Sequence, residues 1–96
     1  MLLLLGLSHH SAPVTVRERF AFAEAEVPAA LQSLRDAGIA DEAVILSTCN
    51  RVEIYAVTQL EPPRAFAALR DFLVNRRDYR GPLTSELYTL SEPQSL

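Results

Sequence analysis

The sequence contains no lysine and no tryptophan, and it has a single cysteine, Cys49. All nine basic residues are arginines, and twelve acidic residues outnumber them, which gives a net charge of −3. A dedicated nucleic-acid module is usually strongly basic, so this balance argues against one. One cysteine excludes an intrachain disulfide framework and is typical of a reducing compartment.

Long apolar runs and glycine-rich loops are also missing. The apolar start of the chain, residues 1–7, has no basic segment and is far shorter than the roughly 20 residues that span a membrane. The three glycines form no G-x-G-x-x-G pattern, the usual dinucleotide-binding turn. With 96 residues the chain has room for one domain, and we expect a cytoplasmic protein that does not enter a membrane.

Four short stretches have the composition of β-strands. Residues 2–7 form a continuous apolar run, which predicts a buried strand. In residues 52–58, one set of alternate residues is apolar, whereas the other set includes a charged residue: Val52, Ile54 and Ala56 alternate with Glu53, Tyr55 and Val57. This alternation predicts a strand that is buried on one face. Further strands are predicted at residues 42–48 and 86–90.

Three helices are predicted between these strands. Residues 14–22 form a short one, and residues 24–37 form a better-defined one that has Pro28 in its first turn and ends at Gly38. The third helix begins at residues 62–63, which are both proline. Its predicted apolar face consists of Phe66, Leu69 and Leu73.

The resulting order is β-α-α-β-β-α-β. Such an order favours an α+β fold in which an antiparallel sheet carries its helices on one face. The fold class predicted is therefore a ferredoxin-like, or split βαβ, sandwich.

A cluster of polar residues, Ser47 to Arg51, separates the two central predicted strands. Asn50 suits a turn, while Cys49 lies two residues from the guanidinium of Arg51. A thiolate attacks carbonyl carbons, and an arginine fork binds carboxylates in a bidentate manner. The alternative is that Cys49 is a small buried hydrophobic residue, the commoner role for a lone cysteine after an apolar strand.

His9 and His10 lie in the loop after the first strand. One of them is a candidate neighbour of the thiol, although capping of loop backbone groups is the favoured interpretation. Adjacent residues point apart in an extended chain, and one cysteine supplies too few partners, so no zinc site is predicted.

Two arginine-rich stretches remain. Residues 17–19, Arg-Glu-Arg, are interpreted as the solvated face of a helix, and Arg76, Arg77 and Arg80 with Tyr79 as a charged surface near a helix end. The alternative for the second group is contact with RNA phosphates, with the tyrosine stacking on a base.

Two motifs resemble those of one enzyme family. Residues 47–55 read STCNRVEIY and are similar to the STCNRxEIY or STCNRxEVY signature of glutamyl-tRNA reductases. Residues 6–18 read GLSHHSAPVTVRE and resemble their N-terminal GxNHxTAPxxxRE motif. Ser8 stands where that family usually has Asn, and Ser11 where Thr is common, and both keep a hydrogen-bonding group. The resemblance covers essentially the whole chain as one N-terminal domain.

The resemblance implies a mechanism and assigns residues to it. Cys49 would be the nucleophile that forms a thioester with the glutamyl group of glutamyl-tRNA. Reduction by NADPH would then give glutamate-1-semialdehyde, which enters tetrapyrrole biosynthesis. By match to the motifs, Thr48, Asn50, Arg51 and His9 would bind the substrate, and Arg51 suits the γ-carboxylate.

The resemblance also implies what lies outside this chain. Residues 1–96 would be the N-terminal catalytic and substrate-binding domain of a longer enzyme. An NADPH-binding Rossmann domain and a helical dimerisation domain are absent from it. Implied partners are glutamyl-tRNA, a second subunit in a homodimer and glutamate-1-semialdehyde aminomutase. We expect the isolated domain to lack complete turnover.

Two other interpretations compete with this one. A non-catalytic ferredoxin-like module that binds RNA or protein would place aromatic side chains on the open sheet face, where Tyr55 is the only candidate on the two central strands. A redox switch at Cys49 would need neither Thr48 nor Arg51. The Thr48–Arg51 run favours the enzyme domain over both.

Overall fold

The computed structural model describes residues 1–77 and 86–91, and its elements occur in the predicted order. The strands are β1 (Leu2–Ser8), β2 (Glu42–Ser47), β3 (Arg51–Val57) and β4 (Tyr88–Ser91). The helices are α1 (Val14–Phe20), α2 (Val27–Asp36) and α3 (Pro62–Arg77), and a 3₁₀ turn, Glu24–Glu26, precedes α2. No helix among these residues is both long and apolar enough to cross a membrane.

The four strands form one sheet in the order β2-β3-β1-β4, with every neighbouring pair antiparallel. Each helical crossover therefore skips one strand, which is the split βαβ arrangement. In the centre of the sheet Ile54 pairs with Leu5 on one side and with Ile45 on the other. The prediction of an α+β, ferredoxin-like fold is confirmed.

The core lies between the helices and one face of the sheet. Leu5 and Ile54 on the sheet pack with Leu34 of α2 and Leu69 of α3, and all four are almost fully buried. Leu4, which points to the other face, is buried as well. Burial of β1 on both faces explains why its sequence is continuously apolar rather than alternating.

Helix α1 ends two residues earlier than predicted. Ala21 is extended, with φ −61° and ψ 145°, and this break lets both Phe20 and Phe22 enter the core. The backbone N–H of Phe22 donates to Ser47 Oγ at 2.9 Å. The end of α1 is thereby fixed beside the end of β2, where the polar cluster begins.

Helix α2 begins as a 3₁₀ turn and ends where the sequence predicts. Pro28 occupies the first α-helical turn. Gly38 has φ 72°, and the N–H groups of Gly38 and Ile39 donate to the carbonyls of Arg35 and Leu34, both at 3.0 Å. This is a Schellman cap, and its left-handed position is the reason for the glycine.

Two details of the sheet differ from the prediction. The last strand is Tyr88–Ser91 rather than residues 86–90. Glu53, which the alternation places on the exposed side of β3, is only 4 % exposed. The burial of this carboxylate depends on its neighbours across the sheet, which a pattern within one strand does not contain.

Candidate active site

The polar cluster forms a tight turn that joins β2 to β3. The backbone N–H of Thr48 donates to the carbonyl of Arg51 at 2.8 Å, leaving Cys49 and Asn50 as the two turn residues. Thr48 Oγ1 accepts the backbone N–H groups of Asn50 and Arg51, both at 3.2 Å. A side-chain oxygen thus replaces the carbonyl that normally closes such a turn, and Cys49 is exposed at its tip.

The exposure of Cys49 excludes the interpretation of this residue as a small buried hydrophobic side chain. Its side chain is directed outward because both turn residues project beyond the last strand pair, Ser47 and Val52. A thiol in this position is accessible from solvent.

The loop after β1 is tied to the same turn by its backbone. The N–H of His9 donates to the carbonyl of Asn50 at 2.8 Å. The rings of His9 and His10 lie against each other, with centroids 3.9 Å apart, and both residues are exposed. Within the described residues no three potential metal ligands cluster.

Ser8 and Ser11, the two positions that depart from the family motif, hold this loop together. The N–H of Ser8 donates to Ser11 Oγ at 2.9 Å, and the N–H of Ser11 donates to the carbonyl of Ser8 at 3.0 Å. Ser8 Oγ also accepts the N–H of His10 at 3.2 Å. The hydroxyls therefore serve the backbone of the loop that carries His9.

A cavity of about 110 Å³ adjoins Cys49. Its walls are formed by α1 on one side and by the hairpin turn on the other. The lining residues are Val14, Arg17, Glu18, Ala21, Thr48 and Cys49. Val14, Arg17 and Glu18 come from one side of α1, and Ala21 follows the end of that helix.

Arg17 is one of four residues of this cavity that were not predicted from the sequence; Val14, Glu18 and Ala21 are the others. Its Nη1 donates to the carbonyl of Ala12 at 2.7 Å, while its Nε is buried and has no hydrogen-bond partner among the described residues. The interpretation of residues 17–19 as a solvated face therefore does not hold for Arg17. The signal that was available is the helical spacing of Arg17 and Glu18 from Val14.

Arg51 lies on the other side of the turn and does not line the cavity in the part of the chain that is described. It is the first residue of β3, and its side chain shares the open sheet face with Glu53. Arg51 Nη1 is 3.7 Å from Glu53 Oε1, and the arginine side chain is 47 % exposed. One side of the guanidinium therefore contacts a buried carboxylate, and the rest of it is exposed to solvent.

Glu53 is itself held by two tyrosines. Tyr55 Oη donates to Glu53 Oε1 at 3.0 Å, and Tyr88 Oη donates to Oε2 at 2.5 Å. Burial raises the pKa of Tyr88, and the hydrogen bond to Glu53 raises this pKa further. The pKa of Tyr55 is raised by the same two causes in the same order. Both phenols are therefore kept protonated as donors to the carboxylate.

Gly6 makes room for this arrangement. It pairs with Glu53 on one side and with Tyr88 on the other. A Cβ atom at Gly6 would lie 2.8 Å from Cγ of Glu53 and 2.9 Å from the carbonyl oxygen of Val52. The glycine of the first motif and the glutamate of the second are thus in direct contact, which explains structurally why the two occur together here.

Arg76 has partners within the domain. Its Nη2 is 2.9 Å from Glu26 Oε2, and its guanidinium carbon lies 4.6 Å from the centroid of the Phe22 ring. These contacts join α3 to the segment before α2, so the residue contributes to packing. Tyr79, Arg80 and the side chain of Arg77 lie outside the described residues.

Fold and site together define an α+β domain of the ferredoxin-like class that presents an exposed thiol on a hairpin turn, beside a small cavity. The sequence profile described as "Glutamyl-tRNAGlu reductase, N-terminal domain" matches residues 5–95. The chain belongs to the family of glutamyl-tRNA reductase N-terminal domains. The resemblance stated from the two motifs is thereby confirmed.

Individual relatives agree with the profile. The chain is 42 % identical over 96 residues to the glutamyl-tRNA reductase of Synechococcus sp. (strain RCC307), a match that covers 99 % of this chain and 22 % of that protein. It is 45 % identical over 94 residues to the glutamyl-tRNA reductase of Chloroflexus aggregans, covering 93 % of this chain and 20 % of that one. The chain thus spans about a fifth of the length of these relatives.

The fold also resembles a solved structure. The glutamyl-tRNA reductase from Methanopyrus kandleri matches with a TM-score of 0.62 and 24 % sequence identity. The match covers 92 % of this chain and 18 % of that structure. At this level of identity the likeness supports the ferredoxin-like fold.

Proposed function

We propose that this chain is the nucleophile-bearing, substrate-binding domain of a glutamyl-tRNA reductase, with Cys49 as the residue that is acylated. The observation that carries the proposal is the position of Cys49, which is exposed at the tip of a turn and also lines a cavity. Thiols are strong nucleophiles toward activated acyl groups, and a thiol at the mouth of a cavity meets a bound acyl carbon.

The acylation step balances as follows. Cys49 Sγ forms a bond to the carbonyl carbon of the glutamyl ester, and the bond from that carbon to the ribose oxygen at the tRNA 3′ end breaks. The thiol proton is lost and the ribose oxygen gains one, so the products are a thioester on Cys49 and a free tRNA end. A thioester accepts hydride more readily than an oxygen ester does, which is the chemical reason for a cysteine.

The neighbours of Cys49 have roles that follow from their contacts. Thr48 fixes the turn by accepting two backbone N–H groups. Asn50 is exposed beside the thiol and offers amide donors to an acyl oxygen. His9 is fixed to Asn50 through its backbone, so its exposed ring lies close to the approaching substrate.

Arg51 is the proposed anchor for the γ-carboxylate of the glutamyl group. Its guanidinium is partly exposed, and the buried Glu53 restrains it from behind at 3.7 Å. A restrained guanidinium loses less rotational freedom on binding and keeps its fork geometry for a carboxylate. The hydrogen bond from Tyr88 to Glu53 therefore stabilises the position of Arg51 indirectly.

The complete family reaction uses NADPH and yields glutamate-1-semialdehyde for tetrapyrrole biosynthesis. The described residues do not fit that cofactor, because their sheet is antiparallel and no glycine-rich turn follows a strand. We therefore assign the cofactor to a Rossmann domain beyond this chain, in a cytoplasmic, homodimeric enzyme of which residues 1–96 form the N-terminal domain. Glutamyl-tRNA and glutamate-1-semialdehyde aminomutase are the proposed partners.

The non-catalytic alternative finds little support on the open sheet face. RNA-binding sheets of this fold class use aromatic rings as stacking platforms. Tyr55 and Tyr88 are on that face, but both hydroxyls are bound to Glu53 and neither residue is fully exposed. The exposed apolar residues there are aliphatic, with Val44 62 % exposed.

The test is acylation of the chain itself. The native chain and the variant Cys49→Ser are incubated with glutamyl-tRNA, and their intact masses are measured with and without hydroxylamine. We expect a hydroxylamine-sensitive glutamyl adduct on the native chain only. An adduct on both proteins, or on neither when both give folded spectra, would contradict the assignment of Cys49 as the nucleophile.

A further inference from the structure

Strand β2 forms one edge of the sheet and lacks the features that usually protect such an edge. Short length, charged side chains and proline keep an edge strand from pairing with another chain. The strand at the opposite edge, β4, has the first of these features, because it comprises four residues. Residues 43–46 of β2 are Ala, Val, Ile and Leu, with no charge and no proline among them. The edge at β2 is therefore open to pairing.

The backbone of β2 offers hydrogen-bonding groups along this edge. The hairpin closes with the N–H of Thr48 donating to the carbonyl of Arg51, and bonded pairs alternate with non-bonded pairs along an antiparallel ladder. By that alternation, the backbone groups of Ala43 and Ile45 point away from β3. Neither residue has a hydrogen-bond partner on that outer side among residues 1–77 and 86–91. Two N–H groups and two carbonyls are thus available to an added strand.

The side chains of β2 on the open face of the sheet are apolar and exposed. Val44 is 62 % exposed and Leu46 is 39 % exposed, whereas Ala43 and Ile45 pack against the core. Opposite side chains approach each other most closely in the non-bonded pairs of an antiparallel ladder, and Val44 and Leu46 would form such pairs with an added strand. The best partner strand therefore has apolar side chains at two positions separated by one residue.

The beginning of β2 favours a charged side chain in the partner strand. A cavity of about 330 Å³ lies there, and Arg35 and Glu42 are among its lining residues. Arg35 Nη2 donates to Gln32 Oε1 at 3.0 Å, but the Glu42 carboxylate has no ion-pair or hydrogen-bond partner in the part of the chain that is described. The adjacent residues Asp36 and Asp41 are also acidic, so three carboxylates accompany one guanidinium. A cation is therefore favoured opposite Glu42.

A second copy of this chain does not supply that cation. Two β2 strands could pair in an antiparallel manner about a two-fold axis. Centred on Val44, that pairing places Leu46 opposite Glu42. Centred on Ile45, it places Thr48 there. Because the Glu42 carboxylate stays without a cation in both registers, a strand from a different protein fits this edge better than self-association does.

We propose that β2 is a docking edge for an extended segment of a partner protein, with side chains in the order apolar-x-apolar-x-cation. The segment pairs antiparallel to β2, with its apolar residues opposite Leu46 and Val44 and its cation opposite Glu42. Main-chain hydrogen bonds to Ala43 and Ile45 provide the attachment, and the order of the side chains provides the specificity. This binding is separate from the proposed acylation, and neither depends on the other.

The test uses a peptide with this pattern. The ¹⁵N-labelled native chain is titrated to millimolar concentrations with acetyl-TVTVTRT-amide and with the charge-reversed acetyl-TVTVTET-amide. We expect the amide signals of Ala43 and Ile45 to shift. The arginine peptide should bind about 2- to 5-fold more tightly than the glutamate peptide, the range for one cross-strand ion pair. Glu42→Arg should reverse this preference.

Two lysine variants on the open face complete the experiment. Val44→Lys should abolish binding, because it places a charge on the docking edge. Leu90→Lys is the matched control, because Leu90 is 40 % exposed on the same face but belongs to β4 at the opposite edge, and this variant should bind as the native chain does. No shifts in the folded native chain, or equal affinity for the two peptides, would overturn the inference. Native dimers that Val44→Lys dissociates would also overturn it, because they would identify a second copy as the occupant.

Discussion

Replacing Tyr88 by Phe should destabilise the domain at neutral pH by about 1–2 kcal/mol. The change removes one hydroxyl, which donates to the Glu53 carboxylate at 2.5 Å, and leaves that carboxylate buried. A hydrogen bond to a charged group contributes about 1.5–3 kcal/mol, and the partial exposure of Tyr88 places the loss toward the lower end. For a domain of this size we expect the melting temperature to fall by roughly 5–10 °C.

The loss should depend on pH in a defined direction. The pKa of Tyr88 in the folded chain is raised, so the folded phenol keeps its proton where an unfolded tyrosine, with a pKa of about 10, has lost it. The stability that comes from this protonated donor is complete below about pH 10 and declines as the pH rises further. The difference between the native chain and Tyr88→Phe should therefore shrink from pH 8 to about pH 11.

Urea unfolding followed by circular dichroism measures both effects. Tyr55→Phe is the matched control, because its hydroxyl is bound to the same carboxylate at the longer distance of 3.0 Å. We expect a smaller loss for this control. Two results would show that the Tyr88 hydroxyl does not stabilise the buried Glu53 carboxylate. One is a loss of unfolding free energy for Tyr88→Phe no larger than that for Tyr55→Phe, and the other is the same loss for Tyr88→Phe at pH 8 and pH 11.

Two further substitutions test the packing and the turn. Gly6→Ala should cost about 1–3 kcal/mol in urea unfolding, because the new Cβ would lie 2.8 Å from Cγ of Glu53; a variant as stable as the native chain would contradict this. Thr48→Val should cost about 0.5–1.5 kcal/mol and slow acylation of Cys49, because it removes the acceptor of two backbone N–H groups. Thr48→Ser should preserve both properties, and equal behaviour of the two variants would reject the role of the hydroxyl.

The prediction from sequence was correct for those elements whose pattern lies within a single segment of the chain. The apolar run of β1 and the cap at Gly38 each lie within a single segment, so periodicity and turn chemistry were sufficient. The end of α1 was predicted two residues too late, because the break at Ala21 comes from the need to bury both Phe20 and Phe22. That need arises from the core, which no local pattern contains.

The site was only partly predictable for the same reason. The hairpin turn and its thiol are contiguous in sequence, so residues 48–51 were identified together. The position of Arg17 beside Cys49 and the burial of Glu53 both depend on contacts between segments that are distant in sequence. The second of these needed the pairing of β1 with β3, which brings Gly6 opposite the glutamate.

The most direct test of the central claim is to map the site of acylation. The native chain is incubated with glutamyl-tRNA, digested under mildly acidic conditions that preserve thioesters, and sequenced by tandem mass spectrometry. We predict that the glutamyl group is attached to the sulfur of Cys49 and that hydroxylamine removes it. A glutamyl group on any other residue, or a folded chain whose Cys49 stays unmodified, would contradict the account.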